Sequence, residues 1–537
     1  MQRYDYIVVG GGSAGCVTAG RLVKEFGAKV LLLEAGSPDT NRLIDMPAGF
    51  VKLLFRPSPF VTVYESEPQS SLSGRSVSIM QGHVLGGGSS VNAMTYTRGV
   101  PLDYKKWDDA TGGAGWDWNS LLPYFRKQEG NQRLNNHAHG VDGPLKVSDA
   151  HHPICDASRA FLQTLQALEI DFVPDVNGGR QEGVSLVQST TYKGRRCSAV
   201  RAFIDPIRKD RRLTLKCEAL ATRILFEGSH AVGVEYVEGE RRTLEKAFAN
   251  NEVVLSAGAY ATPKLLMLSG IGPAEQLSKH AIEVRLNLPG VGQNMQDHYS
   301  VSLVAPTNGA YGYFAEDRGL NMLKNGLQYI LFGSGPIAST SAEVMAFIRT
   351  KDAGSDPNLQ LYCAPVMVPT PLLKPPATHG ITLIANLIKP ESRGSMRLRS
   401  GDPGIPPIIE PNYCGDPRDL QALVDGIRYL RTIVETAPIS RLVEQTLGPD
   451  PDLKSDDDIG AYCKAVATTN FHPVGSCRMG LESDPLAVLT PKLAVRGVAG
   501  LRVFDASMMP SIISANTNAA VMAVADRAVD LMMAGAA

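Results

Sequence analysis

The chain has 537 residues, 44% hydrophobic and 20% charged, a profile that excludes a disordered protein and allows about three to four domain equivalents or one large two-domain enzyme. Its 53 basic and 54 acidic residues leave a net charge of −1, so no electrostatic footprint for nucleic acid or an anionic bilayer is expected, and small-molecule chemistry is. The eight cysteines, from Cys16 to Cys477, are scattered without a C-x-x-C pair, which excludes the usual zinc ligand set and redox dithiol; no metal is expected and the thiols read as reduced.

The chain enters a strand at once, Tyr4–Val9, with none of the charged lead, apolar stretch and cleavage site of a secretory leader. With the reduced thiols this predicts a cytoplasmic protein. No run of about 18 apolar residues offers a spanning helix, while peripheral membrane association stays open. Gly10-Gly11-Gly12-Ser13-Ala14-Gly15 follows the strand, then a helix is expected over 16–26 and a second strand over 29–34, with a continuous apolar run at 30–33. The unit is βαβ, and Gly10, Gly12 and Gly15 have the spacing of a dinucleotide fingerprint: a tight turn, an open backbone for a pyrophosphate, and close helix-to-strand packing. Glu34 ends the second strand where a carboxylate accepts hydrogen bonds from ribose hydroxyls. At this stage NAD and FAD both fit.

A second glycine cluster, Gly82–Met94, reads as another backbone-exposing loop for the same large ligand. Trp107, Trp116 and Trp118 read as structural. A strand is expected over 252–256, then a short helix with Thr262 as N-cap, Pro263 at its first position and Gly270 at a left-handed stop. Residues 365–376 (PVMVPTPLLKPP) read as a surface loop, and the alternation of 394–399 (GSMRLR) as an antiparallel strand with one wet face. An apolar, alanine-rich helix is expected over 519–533, interrupted by Asp526, Arg527 and Asp530.

With the fingerprint, the blocks LGGGSSVN at 85–92, GAYATPKLLMLSGIG at 258–272, VGQNMQDH at 291–298, SRGSMRLRSGDP at 392–403, PNY at 411–413, FHPVGSCRMG at 471–480 and RVFDASMMPSIISANTN at 502–518 resemble the glucose-methanol-choline oxidoreductases, FAD enzymes acting mainly on alcohols. The resemblance covers nearly the whole chain; His83 departs from it, at a position where the family more often has Arg, Lys or Asn. It implies an α/β (overall α+β) protein with a Rossmann-like FAD domain built from 1–150, 190–300 and 462–537. A substrate domain from 151–189 and 301–461 would hold an antiparallel sheet capped by helices, with residues 301–368 lining the pocket together with Met94.

The resemblance further implies that FAD is held by Gly10, Gly12, Ser13, Ala14, Gly15, Glu34, Ala35, Val84, Gly86, Gly87, Ser90, Asn92, Ala93, Met94, Ala221, Asp505, Ala506, Thr517 and Asn518. The bond is noncovalent, since Val91 stands where some relatives carry the histidine that attaches the flavin. His472 matches the catalytic histidine. An ungapped match from Asp505 puts Asn516 at the second active-site position, with Asn518 as the alternative if the register slips. Oxidising an alcohol removes a proton from oxygen and a hydride from carbon; a neutral imidazole suits the proton, an amide orients the oxygen, and O2 or another acceptor takes the electrons. Pro473 would restrict the backbone of His472, and the start of the C-terminal helix would set a positive dipole end against the flavin. The expected substrate is a primary alcohol, aliphatic or aromatic. The alternatives are a flavin-containing hydroxynitrile lyase of the same fold and a flavin-binding protein without catalysis.

Overall fold

The computed structural model describes residues 2–149, 153–239 and 243–535; the expected domain boundary at 150 and 151 lies outside them. Two sheets organise the chain. The first takes the strands in the order Leu213–Lys216, Val30–Leu33, Gln2–Val9, Thr243–Leu255, His230–Glu238 and Ala219–Glu227, and Leu501–Val503 adds to the end of Thr243–Leu255. The first four strands run parallel, as does Leu501–Val503, and the other two form an antiparallel meander. Val30–Leu33 is buried at every position, as a parallel strand covered on both faces must be.

The helix Ser13–Lys24 crosses this sheet and packs beside the C-terminal helix Asn518–Ala534. Their contact is ionic at its centre: Arg21 pairs with Asp526 and, at 2.6 Å, with Asp530. The two acids that interrupt the apolar C-terminal helix therefore have a partner 505 and 509 residues earlier.

The second sheet is antiparallel throughout, in the order Thr468–Thr469, Tyr299–Pro306, Gly380–Leu387, Leu359–Ala364, Val344–Ile348 and Gly183–Leu186. Alternation separates its faces. Tyr299, Val301, Leu361, Ala385 and Leu387 share one core with Phe161 and Leu165 of helix Asp156–Ala167, Leu423 and Ile427 of helix Pro417–Glu435, and Ile459 of helix Asp456–Val466. The opposite face carries Ser300, Asn386, Gln360, Tyr362 and Met345 on neighbouring strands.

Two local expectations are corrected. Residues 395–397 form an antiparallel strand with Arg397 exposed and Met396 buried, but it pairs with Ile408–Glu410 as a separate ribbon and Met396 joins the core of the first sheet. The helix expected to start at Pro263, capped by Thr262, starts at Gly258 and contains Pro263. Its first N–H is met from another segment, Gly258 N donating to Asp505 Oδ2 at 2.9 Å, and the carbonyl that Pro263 leaves without its usual N–H, that of Ala259, accepts from Ser476 Oγ at 2.5 Å. Gly270 does end the helix region at φ +85°.

Candidate active site

The fingerprint loop is shaped by close approach. Gly10 has φ +100°, and a Cβ on Gly15 would stand 1.8 Å from the Gly10 carbonyl oxygen. Gly12 differs: a Cβ there would meet nothing closer than 4.0 Å. Gly12 precedes a helix start with no side-chain cap and no acidic residue in its first turn, which leaves backbone N–H groups and the positive dipole end for an anion. The second glycine cluster lies directly on this loop. Gly86 N donates to Gly11 O at 2.7 Å, and a Cβ on Gly87 would stand 2.9 Å from the Gly12 Cα, so backbone packing between the two loops already requires these glycines. Glu34 is buried with two backbone donors, Gly11 N at 2.8 Å and Gly36 N at 2.7 Å. No cation pairs with it among the described residues, and burial pushes its carboxyl up to about 7 despite those N–H groups.

His472 follows Phe471, whose φ of +63° lies in the left-handed region at a cost of about 1–3 kcal/mol for a non-glycine residue. Asp297 holds this turn. Its Oδ1 accepts from His472 N at 2.8 Å and its Oδ2 from Thr469 Oγ1 at 2.5 Å and Tyr413 OH at 2.6 Å, and burial pushes it up to about 6. The His472 ring lies edge-on to His298, Nδ1 to Nδ1 at 3.0 Å. Burial pushes His472 down to about 4; burial, then the neighbouring His472, pushes His298 down too. Both rings are therefore neutral at neutral pH. His298 Nε2 is buried without a partner, and His472 Nε2 bonds to no other described residue.

The block VGQNMQDH joins the two C-terminal segments around 471–480 and 502–518. Asn294 Nδ2 donates to Gly475 O at 3.3 Å and Pro510 O at 3.2 Å, while Gln296 accepts from Ile512 N at 3.0 Å through Oε1 and donates to Pro510 O at 3.1 Å. Trp107 Nε1 donates to Ser511 O at 2.7 Å, and Ser514 donates through both N and Oγ to Asp103 Oδ2. Thus pinned, the segment presents Asn516 to the polar face of the second sheet. Its Oδ1 accepts from Thr97 Oγ1 at 3.0 Å, Tyr362 OH at 3.3 Å and Gln360 Nε2 at 3.5 Å, so its Nδ2 is left as the outward donor. Asn518 points elsewhere, accepting from Ser13 Oγ at 2.6 Å. Beside His472, Asn470 reaches the same sheet face: Nδ2 donates to Asn386 Oδ1 at 2.5 Å, and Asn386 lies directly across the ladder from Gln360.

A GMC oxidoreductase N-terminal model matches residues 4–300 and a C-terminal one residues 390–525. The chain belongs to the GMC oxidoreductase family. Among relatives, the alcohol dehydrogenase [acceptor] of Pseudomonas putida is 39% identical over 99% of this chain and 96% of its own, and the mitochondrial choline dehydrogenase of Homo sapiens 38% over 99% and 90%. Among solved structures, pyridoxine 4-oxidase from Mesorbium loti superposes with a TM-score of 0.87 at 30% identity, covering 98% of both chains. Formate oxidase variant R554A of Aspergillus oryzae gives 0.91 at 28%, covering 99% and 98%. As a GMC oxidoreductase the chain is an FAD enzyme acting on CH–OH donors.

The residues present fit that cofactor: an uncapped helix start for the pyrophosphate, an unpaired buried carboxylate for the ribose, and an open backbone at Gly12. Gly10, Gly12, Ser13, Ala35, Gly87, Asn92, Ala93, Ala221, Ala506, Thr517 and Asn518 are half-buried and have surface to offer. Ala14, Gly15, Val84, Gly86, Ser90 and Met94 are packed away. Val84 sits in an apolar cluster with Ile44, Leu53 and Val91; Ser90 Oγ donates to Leu85 O; and Met94, expected at the pocket, is wholly buried with φ +61°. Asp505 accepts four hydrogen bonds, from Gly258 N, Thr262 Oγ1, Ser507 N and Ser507 Oγ, so its side chain joins segments and has no acceptor site left for a ligand. His298, Asn386 and Thr97 were missed. His298 ends the block VGQNMQDH, and its residue type is the available signal; Asn386 and Thr97 leave none until strands are paired.

Proposed function

We propose that the chain oxidises an uncharged primary alcohol, aliphatic or aromatic, to an aldehyde, with His472 as general base. The observation that carries this reading is the neutral His472 ring, bonded at Nδ1 to His298 and free at Nε2. If His472 Nδ1–H donates to His298 Nδ1, the lone pair left on His472 Nε2 is the base. His298 then acts by fixing the tautomer and orientation of that ring, and burial keeps it neutral enough to accept. Asn516 Nδ2 is the donor that orients the substrate oxygen, because three donors hold its Oδ1. When bound, FAD supplies the two-electron acceptor for the carbinol hydride, and O2 or another acceptor removes the electrons afterwards. The facing side chains Ser300, Asn386, Gln360, Tyr362 and Met345 carry no formal charge, which supports a neutral alcohol over a cationic one.

Val91, buried at 3% exposure, has no nucleophile, in keeping with noncovalent FAD. The two separate cores support the division into an FAD domain and a substrate domain, and eight free thiols support a reducing compartment. Anaerobic mixing of the yellow protein with a series of primary alcohols should bleach the flavin absorbance. His472→Ala should slow bleaching by about two to four orders of magnitude with FAD retained; unchanged bleaching would remove His472 from the role.

A further inference from the structure

The helix Gly319–Phe332 turns its polar side inward. Asn325 is buried, its Nδ2 donating to Glu316 O at 3.0 Å and Oε2 at 2.7 Å, and Gln328 Nε2 donates to Ser334 Oγ at 3.4 Å. The outer side is apolar: Leu320, Leu323, Leu327, Ile330 and Leu331 follow the spacing of one helix face, Phe332 adds to it at the last residue of the helix, and all six are 59–83% exposed. A soluble monomer rarely leaves so continuous an apolar face in water.

The charge beside this face is mostly positive, and the acids that lie next to it, Asp317 and Asp45, are each paired with an arginine, Arg318 and Arg201. The helix Gly49–Leu54 is tied to the segment after it by Ala48 N donating to Ile337 O at 3.0 Å, and exposes Lys52, with Arg56 just beyond. The hairpin at 191–196 abuts the helix end, where a Cβ on Gly194 would stand 2.0 Å from Gly333 O, and exposes Lys193 and Arg195. With Lys324 the patch has five exposed cations, and segments 49–56, 191–195 and 319–332 contain no acidic residue. The whole-chain balance of −1 conceals this cluster.

We propose that this face lies on an anionic lipid bilayer, with the helix in the plane of the headgroups, its apolar side chains below them and the five cations among them. An isologous second copy would bring the same cations against one another, whereas acidic headgroups neutralise them. The helix, about 21 Å long, fits the interfacial plane, and no helix of the described residues is long and apolar enough to cross a membrane.

The test sediments the FAD-loaded full chain with vesicles of phosphatidylcholine, with and without phosphatidylglycerol. Wild type should pellet with the mixed vesicles and much less with phosphatidylcholine alone. Leu327→Gln/Ile330→Gln/Phe332→Gln should lower the partition coefficient on the order of 100-fold or more, with flavin content and light-scattering mass unchanged. Lys52→Glu/Lys193→Glu/Lys324→Glu should remove the preference for phosphatidylglycerol. Wild type left in the supernatant, equal pelleting on both vesicles, or a triple Gln variant that pellets like wild type would overturn the proposal. So would a wild-type dimer that the triple Gln variant reduces to a monomer, since a second copy would then be the occupant.

Discussion

A histidine works as a base only while its ring is neutral, and at residue 472 burial keeps it so. Its folded value, pushed from 6.5 down to about 4, means that the neutral form persists as pH falls and is lost only near the lower figure. The acid limb of kcat/KM should therefore fall about tenfold per pH unit below about 4, as read from initial rates across pH; a limb at or above 6.5 would show a solvated ring. Glu34 carries the opposite shift. Its carboxyl, pushed up to about 7, is protonated below that value, and the ionised form is the better acceptor for ribose hydroxyls, so FAD affinity should weaken as pH falls through about 7. Fluorescence titration of the FAD-free chain checks this, and Glu34→Gln should flatten the dependence. Glu34 was legible because it ends a strand at a set distance from the glycine fingerprint, and His472 and Asn516 because each lies in a block that resembles the family's. His298 was not, since its contact with His472 spans 174 residues and local patterning carries no information at that separation.

At the scale of elements, the strands and helices nearest the fingerprint were legible because their periodicity and glycine spacing are local. What joins them was not. The helix at Gly258 was placed five residues late because Pro263 reads as a first position, and the reading could not include Ser476 and Asp505, which satisfy the groups that an internal proline and an early start leave open. The pair Arg21–Asp526 makes the same point with an energy attached. Both side chains are buried, at 6% and 1% exposure, and the pair ties the fingerprint helix to the C-terminal one. Arg21→Met leaves the buried Asp526 carboxylate without its guanidinium and should destabilise by about 3–5 kcal/mol, whereas Arg21→Met with Asp526→Leu should be close to neutral. Urea midpoints of the two variants separate the cases; equal losses would mean that shape rather than stranded charge sets the cost.

Over the whole molecule, the proposed cofactor site would draw on segments near residues 10–15, 84–93 and 505–518, which the first sheet and the packing of its helices bring together. Holding FAD therefore favours the assembled state over every state in which these segments part. By mass action FAD at about a hundredfold above its Kd adds about 2.7 kcal/mol, so Tm should climb with the logarithm of free FAD. Two glycine variants distinguish the site from the scaffold. Gly12 has φ −74° and open space where a side chain would begin, so Gly12→Leu should leave the Tm of the FAD-free chain near that of wild type while abolishing its rise with FAD, because the side chain occupies the space meant for phosphate. Gly15→Ala drives a Cβ to 1.8 Å from the Gly10 carbonyl and should lower Tm with or without FAD, by the equivalent of about 1–3 kcal/mol or more. A Gly12→Leu chain whose Tm still rises with FAD would place the pyrophosphate elsewhere, whatever the behaviour of Gly15→Ala.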